Sequence, residues 1–411
     1  MEIAYPRCCG LDVHQASVCG CVSIKTQDKV TKDKRRFGTN TDDLHALAAW
    51  LIEQGVTHVA MEATGVYWKP VWNVLEEGPF ELMLVNPYQV KAIRGKKTDM
   101  KDGERIADLL QHGLLRGSFV PPPLIRELRD LTRSRASLAQ ERSRIANRIQ
   151  KVLEDANIKL GSVASDVLGV SGRRMLDAMV NGETDPEKLA NFSRGILRKK
   201  MPQLRLALTG RVTDHQRFLL QSWLKMLDSI DSLIARFDAQ IHKQGKTISE
   251  TVTAWQKIPG VSEITAWAIA AEIGTDMSQF ETAGHLASWS CVCPGIEESA
   301  GKRISGKTRK GNVWLRRGLC EAAWGASRKK GSYYRSLFYR VSARRGRKRA
   351  IVAVAHSILI TMYYMCKRGA AYADLGEDYF EHKEKERTRR RLVQRLEKLG
   401  YSVSVRAASP A

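Results

Sequence analysis

The stretch HVAMEATG, residues 58–65, decides the fold of the N-terminal part of the chain. Its first five residues are mostly apolar, end on Glu62 and run into a turn of small residues, which is typical of a buried strand. Helical spacing precedes this strand at residues 42–54 and follows it at residues 69–77. A strand between two helices is the building unit of an α/β domain, so we expect a central sheet here.

The same alternation continues on both sides of that strand. Residues 19–24 and 81–86 have the composition of strands, and residues 99–115 have helical spacing. Three consecutive prolines at 121–123 end the pattern, because proline fixes the backbone and cannot continue a helix or a central strand. The sequence therefore predicts an α/β domain over residues 1–120.

The rest of the chain is predicted to be helical. Apolar side chains recur at alternating steps of three and four in residues 124–160 and 220–241, although Arg135 and Arg142 interrupt the first series. This spacing leaves two alternatives open, an intramolecular helical hairpin and a coiled coil that dimerises the protein. We assign residues 124–250 to this helical, coiled-coil segment.

Residues 251–411 are predicted to form a mainly α-helical, basic domain. The turn IPGV at 258–261 resembles the turn of helix–hairpin–helix modules, in which helix N-termini bind phosphate without reading sequence. A plain connection between two helices would look the same.

The 411 residues carry a formal net charge of +23, and this excess is unevenly distributed. Residues 1–120 hold 15 basic and 15 acidic side chains, whereas residues 301–350 hold 17 basic side chains and one acid, Glu321. A basic excess of this size implies a polyanionic partner, and nucleic acid is the first candidate. The hydrophobic content of 43% excludes a wholly disordered chain.

The sequence predicts a cytoplasmic protein. Its first residues lack the basic start and apolar run of a signal peptide. Residues 350–366 are uncharged but shorter than the roughly 20 apolar residues of a membrane span, so we expect a buried helix there. The eight cysteines include no C-x-x-C pair, which favours reduced, mostly buried thiols over a zinc site.

Four acids in the N-terminal domain have suggestive positions: Asp12 in CCGLDV, Glu62 at the end of its strand, and Asp99 and Asp102 on one face of a predicted helix. Carboxylates brought together from three segments form the oxygen-rich kind of site that Mg²⁺ prefers. Two such ions about 4 Å apart can promote phosphodiester chemistry. Any single acid is more often a surface residue, so the combination carries this prediction.

Four motifs of this domain resemble a known family: GLD at 10–12, MEATGVY at 61–67, VNP at 85–87 and KTDMKD at 97–102. They are similar to the RuvC-like (RNase H-like) DEDD domain of insertion-sequence transposases of the IS110 group, which are guided by a bridge RNA. The resemblance extends over nearly the whole chain. It implies a DNA transposase or recombinase whose two Mg²⁺ ions are held by Asp12, Glu62, Asp99 and Asp102. The implied partners are target and donor DNA, a structured guide RNA, and further copies of the chain in a dimer or tetramer.

The resemblance also implies a serine nucleophile that becomes linked to a DNA phosphate. The matching stretch PGIEESAGK, residues 294–302, assigns this role to Ser299. Ser305 is a second candidate, because the distance along the chain from Ser299 to the LRR element at 315–317 is short for the family. By composition alone, Ser299 would be an ordinary loop serine. The overlapping GKRISGKT at 301–308 formally matches a phosphate-binding loop, but its flanks do not fit the required strand and helix.

We expect basic side chains to contact the phosphates of DNA and RNA. The candidates are Lys302, Arg303, Lys307, Arg309, Lys310, Arg316, Arg317, Arg135 and Arg142. The basic run also contains aromatic residues that could stack on bases, although aromatic side chains more often belong to the core. These are Tyr333, Tyr334, Phe338 and Tyr339.

Two other functions fit the same features. One is a Mg²⁺-dependent RuvC-like nuclease or resolvase that uses water rather than serine. The other is a non-catalytic nucleic-acid-binding protein with a decayed nuclease fold. The four intact acids argue against decay.

Overall fold

The structure is a computed structural model that describes residues 3–26, 29–63, 65–87, 99–294, 297–299, 302–305, 308 and 311–404. For residues 99–101, 297–299, 302–305, 384, 386 and 387 it describes the backbone only. The chain forms two compact units, Met1–Val120 and Pro121–Ala411, and the junction falls at the first of the three consecutive prolines.

The first unit contains a six-stranded mixed sheet. Its strands are β1 (Arg7–Val13), β2 (Val18–Lys25), β3 (Val30–Phe37), β4 (His58–Glu62), β5 (Glu81–Val85) and β6 (Gly117–Ser118). They are ordered β3-β2-β1-β4-β5-β6; β1, β4 and β5 are parallel, and the other neighbours pair antiparallel. The helices among the described residues of this unit are α1 (Thr41–Glu53), α2 (Trp68–Leu75) and α3 (Asp99–Gln111). The predicted α/β, RNase H-like class is confirmed.

Strand β1 contributes side chains to two hydrophobic cores, one on each face of the sheet, because successive side chains of a strand point to opposite faces. Leu11 packs with α1 and α2, whereas Cys8 packs beneath α3. In β4, Ala60 belongs to the α3 core as well. Asp12 lies four residues after Cys8, and Glu62 lies two residues after Ala60. Because side chains alternate along a strand, both acids lie on the face that α3 covers.

Strand β3 was not predicted from the sequence. Five of its eight residues, VTKDKRRF, are charged, so neither apolar alternation nor an apolar run marks it. It pairs with β2 from Val18↔Phe37 to Lys25↔Val30 and forms an edge of the sheet. Charged side chains are common on edge strands because they discourage pairing with other chains.

The second unit is largely helical. Its α-helices are α4 (Pro123–Asp155), α5 (Leu160–Val163), α6 (Val170–Val180), α7 (Pro186–Ala190), α8 (Met201–Leu208), α9 (Asp214–Gln244), α10 (Ser249–Trp255), α11 (Glu263–Ile273), α12 (Ala283–Trp289), α13 (Val313–Ala326), α14 (Tyr333–Arg345), α15 (Arg347–Arg368) and α16 (Tyr379–Lys398). A two-stranded hairpin of β7 (Glu297–Ser299) and β8 (Lys302–Ser305) lies between α12 and α13 in the sequence.

Helices α4 and α9 pack against each other as an antiparallel intramolecular hairpin. Arg135 donates a hydrogen bond to Asp238 at 2.7 Å, and Arg142 donates one to Asp231 at 2.5 Å. Residue numbers therefore increase along α4 while those of its contacts decrease along α9. Of the two alternatives left by the sequence, the structure contains the hairpin. These ion pairs also explain why two arginines occupy an otherwise apolar series.

The IPGV turn lies between α10 and α11 and packs tightly on α13. Gly260 has a φ of +81°, and a Cβ added there would lie 2.1 Å from the carbonyl oxygen of Ala322. Gly325 faces it closely from α13. Only glycine satisfies both the left-handed backbone and this approach.

One helix among the described residues, α15, is long and apolar enough to cross a membrane. Half of its most apolar window is buried within the protein. Its side chains Val354, Ile358 and Met362 are fully buried. The helix therefore has the character of a core helix, as the sequence predicts.

Candidate functional site

Asp12 and Glu62 come together because β1 and β4 are parallel neighbours. The register pairs Leu11 with Met61, which brings the next residues, Asp12 and Glu62, side by side at the carboxyl ends of their strands. The side chain of Asp12 is 14% exposed. Both acids stand on the face of the sheet that α3 covers.

The close approach of α3 to β1 brings Asp102 to the same face of the sheet as Asp12 and Glu62. A Cβ added to Gly10 would lie 2.3 Å from the Ala107 nitrogen and 2.3 Å from the Gly103 oxygen. A Cβ added to Gly103 would lie 2.9 Å from the Cys19 oxygen. Two glycines therefore allow backbone-to-backbone contact, and this contact fixes the turn of α3 that carries Asp102.

The electrostatics of Asp12 show that the carboxylates affect one another. Burial is the largest cause that raises the pKa of Asp12, and the charges of Asp102 and Glu62 raise it further. His14 acts in the opposite direction, since its Nε2 lies 3.1 Å from Asp12 Oδ2 and forms a hydrogen bond. A cation bound among these carboxylates would relieve both the burial cost and the repulsion.

Asp99 begins α3, three residues before Asp102, which places the two residues on one face of the helix. Its side chain lies outside the described residues. Among the side chains that are described, no group of three or more His, Cys, Asp or Glu is close enough to hold a metal ion. Whether Asp99 completes the predicted four-carboxylate site stays a prediction.

The other acids of α3 have different partners. Lys32 on β3 lies 3.0 Å from Glu104 and 2.6 Å from Asp108, and Lys34 also pairs with Glu104. The hydrogen bond from Lys34, followed by that from Lys32, lowers the pKa of Glu104. These two acids are thus neutralised by the β3 edge, in contrast to Asp102.

His14 is a site residue that sequence reasoning missed. It follows β1 directly, is about half exposed, and contacts Asp12 through Nε2. The only signal in the sequence is the D-x-H spacing, which is too common to identify a site by itself. Its position identifies it as a residue that orients the Asp12 carboxylate.

Ser299 lies at one end of the β7–β8 hairpin. Its backbone pairs with Lys302 where the two strands are joined, whereas Ser305 pairs with Glu297 at the opposite end. The side chains of both serines, and those of Lys302 and Arg303, lie outside the described residues. Lys307, Arg309 and Lys310 lie outside them entirely.

The predicted cations that the structure describes fall into two groups. Arg316 and Arg317 lie on α13, and Arg317 is exposed. Arg135 and Arg142 already hold carboxylates of α9. The hairpin ion pairs give these two arginines a structural role, and their contact with nucleic acid stays a prediction.

A buried acid that sequence reasoning also missed fixes the start of α13. Glu272 is 1% exposed and accepts hydrogen bonds from Arg133 at 2.7 and 2.9 Å. It also accepts one from Asn312 at 2.5 Å, and Asn312 in turn caps α13 by accepting from the nitrogens of Trp314 and Leu315. Glu272 therefore connects α4, α11 and the helix that carries Arg316 and Arg317.

Comparison with known proteins links both units to one kind of protein. Residues 9–158 match a transposase family model of the DEDD IS110 type, and residues 253–340 match the model of the transposase IS116/IS110/IS902 family. The first region contains the four predicted acids, and the second contains Ser299.

A protein of Sinorhizobium fredii (strain NBRC 101917 / NGR234), y4uE, which is described as a transposase, is 30% identical over 161 residues. The alignment covers 36% of this chain and 44% of that protein. The chain thus matches less than half the length of this curated relative.

Proposed function

We propose that this protein, which belongs to the IS110 family of transposases by its DEDD region and its C-terminal transposase region, breaks and rejoins DNA at the carboxylates of its first unit. The observation that carries this proposal is the half-buried carboxylate of Asp12, on which the charges of Glu62 and Asp102 act. Carboxylates that repel one another in this way are unfavourable without a cation, and metal-dependent phosphodiester enzymes are built on clusters of carboxylates.

The donor set fits Mg²⁺, which prefers carboxylate oxygens. Asp12, Glu62, Asp99 and Asp102 would hold it. When bound, the metal supplies activation of an attacking oxygen and stabilisation of a leaving oxygen. The chain itself contributes placement, because the Gly10–Gly103 contact holds α3 on β1 and His14 orients Asp12.

We further propose Ser299 as the nucleophile. Its Oγ would form a bond to the phosphorus of the scissile phosphodiester while the bond to the leaving sugar oxygen breaks. The hydroxyl loses its proton and the sugar oxygen gains one. Support comes from the position of Ser299 within the matched transposase region and at the joined end of the β7–β8 hairpin.

The test is covalent trapping of DNA on the protein in a denaturing gel. Ser299→Ala should lose the adduct and strand exchange while it retains DNA binding, and Ser305→Ala should keep all three. Unchanged strand exchange in Ser299→Ala would refute the assignment.

A nuclease that uses water is the second candidate. The observation that favours it is that all four acids belong to the first unit, so a site built from them would need no carboxylate of the second. It predicts Mg²⁺-dependent cleavage of DNA with no protein–DNA adduct, which the same gel measures.

RNA guidance, assembly as a dimer or tetramer, and action in the bacterial cytoplasm complete the proposal. The exposed basic side chains that the structure describes in the basic domain are available for phosphates, and base pairing by a guide RNA would then read the DNA sequence. Extraction and sequencing of RNA from the purified protein test the guide. One defined RNA species is expected, and a random mixture of cellular RNA would contradict it.

A further inference from the structure

We propose that the exposed face of α13 and α14 binds an unpaired DNA strand, with Trp324 and Tyr339 as platforms on which its bases stack. The inference rests on the proposed function only in that a protein that breaks and rejoins DNA exposes unpaired strands. The metal site takes no part in it.

The structure separates three of the four aromatic residues of the basic run into two classes. Tyr334 and Phe338 are buried at 1% and 7% exposure and belong to the core. Tyr339 is 57% exposed, and Trp324 on α13, which lies outside the sequence-predicted set, is 43% exposed. Large rings this accessible are available to an external partner.

The two exposed rings belong to one surface. Trp324 packs on Phe338 with ring centroids 6.0 Å apart, and Phe338 contacts Tyr339 at 5.4 Å. Arg335 lies 5.5 Å from the centre of the Tyr339 ring and helps to fix its orientation. A buried ring thus joins and supports the two exposed ones.

Cations surround this aromatic surface. On α13, Arg317 and Trp324 are seven residues apart, so they share a helix face. At both ends of α14 lie further exposed basic side chains, none of which forms an ion pair with another described residue: Arg328, Lys329 and Lys330 at one end, and Arg344, Arg345, Arg347, Lys348 and Arg349 at the other. The only acid in residues 301–350 is Glu321, on α13.

This combination fits an unpaired strand better than a duplex. Exposed aromatic rings stack on bases only when those bases are free of their neighbours, and a cationic surface follows the phosphate backbone. Paired bases are stacked on each other and would leave the two rings unused. The location of both rings within the matched transposase region favours DNA as the strand.

The experiment measures binding of the full-length protein in EDTA to four labelled probes of about 12 nucleotides, a length within the known range of single-strand sites. The probes are oligothymidine, the same strand with abasic sugars, a DNA duplex, and oligouridine. The variants Trp324→Ala and Tyr339→Ala are compared with Trp324→Phe and Tyr339→Phe, which keep a ring. Tyr364→Ala is the matched control, because Tyr364 is an aromatic residue of α15 that is 40% exposed and packs on Arg368.

Each alanine variant should bind oligothymidine roughly 5- to 150-fold more weakly than the wild type, as the loss of one stacked base requires. It should bind the abasic strand and the duplex as the wild type does, and both phenylalanine variants and Tyr364→Ala should bind all four probes nearly normally. Unchanged binding of oligothymidine, an equal loss on the abasic strand, or a loss confined to oligouridine would each overturn the proposal. Because binding is measured in EDTA, an inactive metal site does not affect the result.

Discussion

Gly10→Ala tests how the fold builds the carboxylate site. The added Cβ would lie 2.3 Å from two backbone atoms of α3, whereas ordinary van der Waals contact begins at 3.4 Å, so α3 must move away by about 1 Å. Overpacking of this kind costs about 1–3 kcal/mol. For a unit of this size, we expect the melting temperature to fall by about 4–12 °C.

The same movement would carry Asp102 away from Asp12. A misplacement of about 1 Å can lower the rate of a reaction about 100-fold. We therefore expect Gly10→Ala to remain folded at 20 °C and yet to lose most Mg²⁺-dependent DNA breakage. Thermal melting and a DNA cleavage assay on the full-length protein measure the two effects.

The matched control is Gly20→Ala on the neighbouring strand. Its Cβ would lie 2.9 Å from the end of the Trp50 ring on the opposite face of the sheet, where no predicted site residue lies. It should destabilise the protein without a selective loss of cleavage. If Gly10→Ala melts and cleaves like the wild type, the proposed role of the glycine contact is wrong.

Further predictions concern the charges. Burial raises the pKa of Asp12, so ionisation of this carboxyl lowers the stability of the protein as the pH rises from the ordinary pKa of 3.8 through the raised value. At pH 7 without metal, Asp12→Asn should therefore have a higher melting temperature than the wild type. Added Mg²⁺ should raise the melting temperature of the wild type only. A lower melting temperature in the metal-free variant would contradict this. Glu272→Gln should reduce the free energy of unfolding in urea by about 3 kcal/mol, because it removes the buried charge that pairs with the half-buried Arg129 and Arg133. Arg144→Ala, at an exposed pair with Glu141, should change it by less than about 1 kcal/mol. Equal effects would refute the structural role of Glu272. Neutralising three basic residues within residues 307–310 should reduce the slope of log affinity for duplex DNA against log salt by about 3, and an unchanged slope would exclude them as phosphate contacts. These are Lys307, Arg309 and Lys310.

The sequence predicted the parts of the fold in which one local pattern dominates. Strand β4 was placed at its observed residues because it is an apolar run that ends at a turn. Strand β3 was missed because its pairing with β2, rather than its own composition, makes it a strand. The partner of α4 was left open because spacing alone does not say which helix fills the groove; the ion pairs from Arg135 and Arg142 to α9 supply that information.

The four acids of the candidate site were predicted from residue type and motif. The residues that position these acids were not predicted. The proximity of Asp12 and Glu62 results from two parallel strands that end side by side. The roles of Gly103 and His14 depend on how α3 and the end of β1 approach other segments, and no local pattern records such an approach. Long-range contacts of this kind appear only when the chain is folded.

The most direct test of the central claim is Mg²⁺-dependent breakage of DNA by the full-length protein and three single variants. Asp12→Asn and Asp102→Asn should bind DNA but break it at least 100-fold more slowly than the wild type, because each removes a carboxylate that would hold the metal. Asp108→Asn, on the same helix but paired with Lys32, should remain active. Wild-type breakage by either of the first two variants, or an equal loss in Asp108→Asn, would contradict the carboxylate site described here.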